Sequence, residues 1–181
     1  MFEQTDEKLI SKALNGNKNA WLKLIKRYEK PMYNYALRMV GNADDGMDVM
    51  QEIFISVFRN LSSYRGEGSF KSWIFRIANY RVIEFYRRKK PMQSIDDQPE
   101  APDEQELNAE QQMLSQRQGE QLVNAMQSLP LAQKAVVELK FFGEFTFDEI
   151  ADQLGISANT VKSRLYSGLD KLKQVMEIEY V

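Results

Sequence analysis

Seven polar residues near the C-terminus are interspersed with an apolar stripe at helical spacing. They would point outward from a helix whose inward side carries Val161, Leu165 and Leu169. The outward residues are Asn159, Thr160, Lys162, Ser163, Arg164, Tyr166 and Ser167. Amide, hydroxyl and cationic groups bind base edges and phosphates, and a helix N-terminus also attracts phosphate. The chemistry that these residues indicate is recognition of duplex DNA.

The residues just before this helix have the features of a helix-turn-helix. Thr146 and Glu149 have the spacing of a capping box, which starts a helix. Gly155 can adopt a positive φ where that helix ends, and Ser157 can cap the next one. A helical hairpin with a solvated polar face would show part of the same pattern. The glycine turn, the two caps and the basic outward face together favour DNA binding.

Cations and aromatic rings are interleaved in a second stretch, from residue 71 to residue 90. The cations include Lys71, Arg76 and the run Arg87, Arg88, Lys89 and Lys90, and the rings are Trp73, Phe75, Tyr80 and Tyr86. Single-stranded nucleic acid binds such a surface, because bases stack on rings while cations follow the backbone. A helix this apolar must also bury one side. We therefore expect Trp73, Ile74, Ile77 and Phe85 to contribute to a core as well.

Three carboxylates share one face of an earlier helix. Asp45, Asp48 and Glu52 lie at i, i+3 and i+7, with Gln51 beside them. Such a group could hold a divalent cation through oxygen ligands, or form an acidic patch that docks a basic partner. It could equally be a solvated face that suits the helix dipole. The spacing alone favours the solvated face.

Composition disfavours an enzyme. The chain has 181 residues with 43% hydrophobic content, and it contains neither histidine nor cysteine. It therefore lacks the commonest general base, a thiol nucleophile and the usual zinc ligands. We expect no catalytic residue, no cofactor and no metal. With no long apolar run and no signal peptide, we also expect no membrane insertion and a cytoplasmic location.

Charge is distributed unevenly, although the formal net charge is only −2. Residues 71–90 contain seven basic residues and one acid, whereas residues 91–112 contain seven acids and no base. The acidic segment also holds three of the five prolines, which is typical of a linker. We therefore predict two helical modules at residues 1–92 and 113–181, joined by an acidic linker at 93–112.

The predicted fold is all-α, since no segment alternates with period two for long enough to indicate a strand. Helix breaks are expected at Gly16 and at Gly41. The pattern continues past Pro31, and Pro130 suits the first turn of a helix. As a random coil, residues 91–112 would average only about 26 Å end to end. We expect the free chain to be more compact than it would be with both modules bound to separate sites.

Taken together and in order, the two modules resemble a bacterial RNA polymerase sigma factor of the extracytoplasmic-function group. In the first module the matching stretches are DGMDVMQEIFISVFRNL and WIFRIANYRVIEFYRRKK. In the second it is SLPLAQKAVVELKFFGEFTFDEIADQLGISANTVKSRLYSGLDKL. The resemblance covers nearly the whole chain, and its most specific part is EIA…LGIS…TVKSRL.

The resemblance implies a dissociable specificity subunit that binds core RNA polymerase and promoter DNA and takes no small-molecule substrate. The implied polymerase-binding residues are Asp45, Asp48, Gln51, Glu52 and Phe54. For the promoter −10 element they are Ser62, Tyr64, Arg65, Ser69, Phe70, Lys71, Trp73, Arg76, Asn79, Tyr80, Arg87 and Arg88. For the −35 element they are Ser157, Asn159, Thr160, Lys162, Ser163, Arg164, Tyr166 and Ser167. By resemblance only, an anti-sigma factor is a further expected partner.

The sequence departs from the family pattern at a few positions. Gly46 and Met47 replace a usual alanine and glutamate, Tyr80 a usual asparagine, and Glu84 a usual aspartate. These changes leave the −10 preference open.

Two other classes of function are alternatives to this interpretation. One is a stand-alone helix-turn-helix regulator with an N-terminal effector or dimerisation domain, which has no need of the basic and aromatic stretch. The other is a carboxylate-metal enzyme.

Overall fold

Helices form all the regular secondary structure in the part of the chain that the structure describes. The structure is a computed structural model, and it describes residues 3–89 and 112–179, with side chains for 3–89 and 117–176. The predicted all-α fold is confirmed over these ranges. The acidic linker predicted at 93–112 lies, except for its last residue, outside the described residues.

The first module is built from helices α1 to α4 and a short 3₁₀ turn. These are α1 (Asp6–Leu14), α2 (Lys18–Val40), α3 (Ala43–Asn60), the 3₁₀ turn (Leu61–Ser63) and α4 (Phe70–Lys89). The side chain of Asn17 caps α2 by accepting from the Ala20 N–H, and that of Asn42 caps α3 in the same way. Gly41, at φ 92°, ends α2 as the sequence predicts.

The core of the first module explains why α2 continues through a proline. Pro31 lies inside α2, where it removes one hydrogen bond and costs about 3 kcal/mol. The residues that follow it, Met32, Ala36 and Met39, are fully buried. Burial of each of the two methionine side chains contributes about 1.5–3 kcal/mol, which offsets the local cost. Tertiary burial therefore keeps α2 in one piece.

Two large apolar residues in helices of the first module are exposed. Leu14 is the last residue of α1 and is 48% exposed, so no following turn of that helix covers it. Phe58 is 65% exposed, although its ring packs edge-on against Trp21 at 5.3 Å between centroids. The apolar pattern of α3 is therefore wider than the face that its neighbours bury.

The second module contains the predicted helix-turn-helix. Its elements are α5 (Gln112–Gln127), α6 (Leu131–Val137), a π-helical turn (Glu138–Phe142), α7 (Phe147–Leu154) and α8 (Ala158–Glu179). Thr146 and Glu149 form the capping box of α7, and Gly155 ends that helix at φ 66°. Ser157 Oγ accepts a 3.1 Å hydrogen bond from the Thr160 N–H, which caps α8. The local predictions for this motif are confirmed.

The π-helical turn was not predicted. The sequence indicates a regular helix through Phe141, but the backbone widens after Val137. The Gly143 N–H then bonds to the Glu138 carbonyl, five residues back, at 3.0 Å. As a result Glu138 and Leu139 face inward while Phe141 is 54% exposed. Single π turns of this kind occur frequently at functional sites.

The two modules pack against each other in this structure. Helix α2 contacts α5 and α6, and α4 contacts α7. Lys134 of α6 lies between the two modules and is 3% exposed. Its Nζ donates to the Met39 carbonyl, the Tyr86 hydroxyl and the Gln127 Oε1 at 3.0, 3.2 and 2.8 Å. Burial lowers the pKa of Lys134 to about 8.

Alanine at Gly143 should lower the free energy of unfolding by about 1–3 kcal/mol. A Cβ there would lie 2.7 Å from the Leu139 carbonyl oxygen and 2.6 Å from the Phe145 ring. Gly119 in α5 is the matched control, because a Cβ there meets nothing within 4 Å. Gly119→Ala should raise the free energy of unfolding by about 0.5–1 kcal/mol. Denaturant unfolding followed by circular dichroism measures both, and changes of the same sign would contradict the packing described at Gly143.

Stability should rise with pH between about 8 and 10.5 through Lys134. The depressed pKa means that the folded chain releases this proton near pH 8, whereas the unfolded chain holds it up to the ordinary value of 10.5. The unfolded state therefore binds more protons across this window, and the free energy of unfolding increases with pH by up to about 1.4 kcal/mol per unit. Below pH 8 both states are protonated and this dependence ends.

The control for this pH dependence is Lys134→Met. Wild type and variant are unfolded in urea at pH 7 and pH 9.5, and the change between the two pH values is compared. Titration of the other lysines and tyrosines is common to both proteins and cancels in that comparison. An identical pH dependence in the two proteins would contradict the buried, depressed ammonium.

Candidate nucleic-acid interface

The outward side of α8 is a continuous polar surface at the end of the helix-turn-helix. Val161 and Leu165 hold α8 against the module, being 0% and 4% exposed. The opposite side presents Ser157, Asn159, Lys162, Ser163, Tyr166 and Ser167 as exposed residues, with Thr160 and Arg164 half-buried. Lys162 lies 5.4 Å from the centre of the Phe147 ring in α7, which orients it beside the turn. The structure therefore brings together all eight residues predicted at this surface.

Three aromatic rings form a cluster where the loop after α3 meets α4. Tyr64 packs on Phe70 at 5.5 Å and on Trp73 at 5.4 Å, and Phe70 and Trp73 are also 5.5 Å apart. Phe70 is only 1% exposed, so its ring supports the other two from inside the core. Tyr64 and Trp73 are half-buried and accessible. The cluster offers stacking surface through those two rings.

Hydrogen bonds within the loop before α4 fix its conformation. Ser62, Arg65 and Ser69 are exposed along it. The Tyr64 hydroxyl donates to the Gly68 carbonyl at 3.1 Å, and Ser69 Oγ accepts from the Ser72 N–H at 3.1 Å. Its turn needs glycine at two points, since Gly66 and Gly68 have φ of 76° and 75°.

Along α4 the predicted strip divides into buried and exposed residues. Phe75 is 4% exposed and packs between Tyr35 and Phe145, so it belongs to the core. Tyr80 is 54% exposed, and the half-buried Asn79 lies next to it. The Arg81 guanidinium, 5.4 Å from the Tyr80 ring centre, donates to Ser56 Oγ at 2.6 Å. Fewer residues of the strip are therefore accessible than the sequence pattern predicts.

Two cations of the strip contact the second module. Lys71 Nζ donates to the Gly143 carbonyl at 2.6 Å and lies 5.2 Å from the centre of the Phe145 ring. Arg76 pairs with Asp152 of α7 at 3.0 Å. Both cations are thus engaged within the chain, although Arg76 and Asp152 remain exposed to solvent.

The basic end of α4 is paired with acids. Arg87 bonds to Glu84, Arg88 to Glu52 and Lys89 to Asp45, at 2.8, 2.8 and 2.7 Å. Lys90, the last cation of the predicted run, lies outside the described residues. Two of the three carboxylates on the shared face of α3 therefore point toward α4.

The acidic face of α3 is consequently smaller than its spacing suggests. The Asn42 side chain, and then Lys89, bond to Asp45 and lower the pKa of that carboxyl. Asp48 and Gln51 are exposed, and Phe54 is half-buried beside them. Among the described residues no group of three or more acids is arranged to hold a metal ion. The solvent-facing part of this face therefore consists of Asp48 and Gln51, with the half-buried ring of Phe54 beside them.

Sequence reasoning missed a set of buried and half-buried polar residues between the modules. They are Arg38, Gln127, Lys134 and Glu138. Lys134 and Glu138 stand four residues apart, a spacing that normally indicates an ion pair on the surface of a helix. The available signal was that Lys134 directly precedes the apolar run of residues 135–139 and that Glu138 interrupts it.

Comparison with known proteins gives two family-model matches, one in each module. Sigma-70 region 2 matches residues 24–91, and Sigma-70 region 4 matches residues 119–172. The first match contains the acidic face of α3 and the strip on α4, and the second contains the helix-turn-helix. In the part of the chain that is described, no helix is both long and apolar enough to cross a membrane.

Several curated proteins are similar over most of the chain. The ECF RNA polymerase sigma-E factor of Escherichia coli strain K12 is 30% identical over 179 residues, which cover 92% of each protein. SigW of Bacillus subtilis is 26% identical over 96% of this chain and 97% of its own. SigE of Mycolicibacterium smegmatis is 30% identical over 87% of this chain, which spans 62% of that protein's length.

Two solved structures share the fold. CnrH, in complex with the cytosolic domain of CnrY, superimposes with a TM-score of 0.69 over 96% of this chain and 97% of its own, at 20% identity. The sigma factor RpoE from Bartonella quintana, in complex with the anti-sigma factor NepR, gives 0.65 over 86% and 96%, at 16% identity. With the two region matches and the full-length similarity to the sigma-E factor, the chain belongs to the extracytoplasmic-function RNA polymerase sigma factors.

Proposed function

We propose that this chain binds core RNA polymerase, recognises the −10 and −35 promoter elements and promotes DNA melting, with no covalent chemistry of its own. The observation that carries the proposal is the presence, in one chain, of an exposed polar face on α8 and an aromatic and basic surface on α4. A regulator that only binds duplex DNA has no need of the second surface. We assign residues 1–92 to polymerase and −10 binding, 93–112 to a linker and 113–181 to −35 recognition.

Polymerase docking is assigned to the exposed face of α3. Asp48 and Gln51 would meet the clamp helices of the largest polymerase subunits, with Phe54 giving apolar contact at the edge. Asp45 and Glu52 contribute from the side, since each already bonds to a cation of α4. An acid and an amide at the centre of the surface favour a basic and polar partner.

Promoter opening is assigned to the surface formed by the loop and α4. A base that leaves the duplex stack can be received by the accessible rings of Tyr64 and Trp73, because stacking contributes about 1–3 kcal/mol per base. Exposed Ser62, Arg65 and Ser69 on the loop would bind the base edge and backbone. Residues further along α4, from Lys71 to Arg88, would follow the phosphates. The protein therefore supplies binding energy to the melted strand rather than a reaction.

Recognition of the −35 element is assigned to the outward face of α8. This face starts at the helix N-terminus, where Ser157 and Thr160 are already ordered by capping. Exposed Asn159, Lys162 and Ser163 would meet base edges and phosphates in the major groove. Arg164, half-buried on the same face, would make a specific base contact.

Two further assignments follow from family membership. The RpoE and CnrH structures contain partner proteins, and the RpoE partner is an anti-sigma factor. We assign an anti-sigma factor to this chain as a protein partner. We also assign it to the cytoplasm, where bacterial polymerase and promoter DNA are found.

The whole proposal is tested by adding the purified chain to sigma-free core RNA polymerase with a randomised promoter library. Sequencing the transcripts should show starts clustered downstream of a two-part motif. Absence of specific starts, together with tight binding of the chain alone to duplex DNA, would favour the stand-alone regulator instead.

Asp48→Lys should weaken binding to core polymerase by about tenfold or more, because it places a cation at the centre of a surface assigned to a basic partner. Glu29→Lys is the matched control, since Glu29 is an exposed acid on α2 outside that surface. Both variants should keep the wild-type helix content by circular dichroism. Fluorescence anisotropy with labelled sigma factor measures the affinity, and equal affinities for the two variants would contradict the docking assignment.

Arg164→Ala should reduce transcription from the selected promoters and relax base preference at one −35 position, as a base contact is worth about 1–3 kcal/mol. Lys171→Ala removes an exposed cation of α8 outside the assigned face and serves as the control. Initiation is measured on a panel of single-base promoter variants. A uniform loss across all −35 sequences would show that Arg164 contacts phosphate rather than a base.

A further inference from the structure

The end of α2 is bonded by side chains of the second module. The last carbonyl groups of a helix have no partners within it. Here the Arg38 carbonyl accepts from Gln127 Nε2 at 2.7 Å, and the Met39 carbonyl accepts from Lys134 Nζ at 3.0 Å. The Lys134 charge is also favourable there, because the helix dipole is negative at its C-terminal end. The Met39 carbonyl also accepts from the Tyr86 hydroxyl of α4 at 2.5 Å, so the second module shares with α4 the capping of a helix in the first.

A buried ion pair lies next to this cap. The Glu138 side chain is 0% exposed and accepts from Arg38 Nε and Nη2, with the closest distance 2.5 Å. The Arg38 guanidinium also lies 3.8 Å from the centre of the Phe142 ring. Arg38 belongs to the first module, whereas Glu138 and Phe142 belong to the π-helical turn of the second. The turn therefore holds the only fully buried carboxylate of the described residues against a cation of the other module.

Closing the modules in this way takes up residues of the surface assigned to the −10 element. Lys71 donates to Gly143, the residue that follows the π-helical turn, and Arg76 pairs with Asp152 of the helix-turn-helix. The rings of Phe75 and Phe145 meet edge-on at 5.4 Å between these two contacts. A phosphate must therefore displace the second module from Lys71, and must compete with the exposed Asp152 carboxylate for Arg76, while the modules remain closed. By contrast, the outward face of α8 stays accessible.

The interface between the two modules contains charged groups whose burial adds little net stability, so the modules can separate. A buried ion pair contributes little net stability, because desolvation of both charges offsets their attraction. On opening, Arg38, Lys134 and Glu138 regain water. The Tyr35 hydroxyl is a further weak point, since it is buried with no hydrogen-bond partner. Burial, and then the nearby Glu138 charge, raise the pKa of Tyr35.

We propose that the pair Arg38–Glu138, with Lys134 on the end of α2, is an autoinhibitory latch that keeps the free chain closed and two cations of its −10 surface, Lys71 and Arg76, engaged by the second module. The closed state is a property of the chain itself and needs no partner. Polymerase or a partner protein that separates the modules releases Lys71 and Arg76 from these contacts. The inhibitory part of this inference rests on the −10 assignment above, whereas the latch itself does not.

Fluorescence energy transfer between the modules tests the latch. The natural chain has no cysteine, so Lys23→Cys in α2 and Gln174→Cys in α8, both exposed positions, place the dyes uniquely. Arg38→Glu and Glu138→Arg should each lower the transfer efficiency, because each places like charges together in the buried site. The double variant reverses the pair and should restore much of the efficiency. Asp170→Lys, an exposed charge reversal on α8, is the control and should leave it unchanged.

A second measurement tests the inhibition. Binding of each free chain to a fluorescein-labelled single-stranded DNA of mixed sequence is followed by anisotropy. A chain that is open only a tenth of the time binds about tenfold more weakly than a chain that is always open. The single variants should therefore gain up to about tenfold in affinity, and the double variant should return toward wild type. Arg38→Glu provides an independent arm if Glu138→Arg lowers the helix content of the second module.

The outcomes separate the proposals. Unchanged transfer efficiency in both folded single variants would overturn the latch. Lower efficiency without any gain in DNA affinity would overturn the inhibition but leave the latch. Lower efficiency that the double variant fails to restore would show that the charges do not act as a pair. Failure of wild type to direct specific starts with core polymerase would overturn the proposed function, and the energy-transfer result would stand separately.

Discussion

The last turn of α2 is the point on which the arrangement of the whole chain depends. Its carbonyl groups need partners, and Gln127 and Lys134 of the second module provide them together with the Tyr86 hydroxyl of α4. Gly41 permits this approach in two ways, since its φ of 92° turns the chain away and a Cβ there would lie 2.8 Å from Gln127 Cδ. A residue with a side chain at this position would keep Gln127 at a distance. The helix end is thus both a boundary in the first module and a binding site for the second.

This junction determines which functional surfaces are accessible. The face of α8 points away from the first module, so the residues assigned to the −35 element remain exposed. Part of the surface on α4 is engaged within the chain, because Lys71 donates to the Gly143 carbonyl and Arg76 pairs with Asp152 of α7. The two assigned DNA surfaces therefore differ in availability within one structure. This difference comes from packing between modules and not from the chemistry of either surface.

The parts of the fold that depend on local sequence were predictable. Thr146, Gly155 and Ser157 act within a few residues of themselves, so the helix-turn-helix could be located without tertiary information. The π-helical turn and the burial of Glu138 could not, because both depend on what α2 presents across the junction. Phe75 illustrates the same limit within α4. An aromatic residue beside cations has the same sequence pattern whether it stacks on a base or, as here, lies between Tyr35 and Phe145.

The ion pairs between α3 and α4 have a thermodynamic consequence. Glu52 and Asp45 neutralise Arg88 and Lys89, so the same four charges belong both to the face assigned to polymerase and to the strip assigned to DNA. A basic partner that takes up the carboxylates releases the cations, and phosphates that take up the cations release the carboxylates. By linkage, each ligand then increases the affinity of the chain for the other by the same factor. Because exposed pairs contribute about 0–1 kcal/mol each, this coupling is modest and should weaken as salt is added.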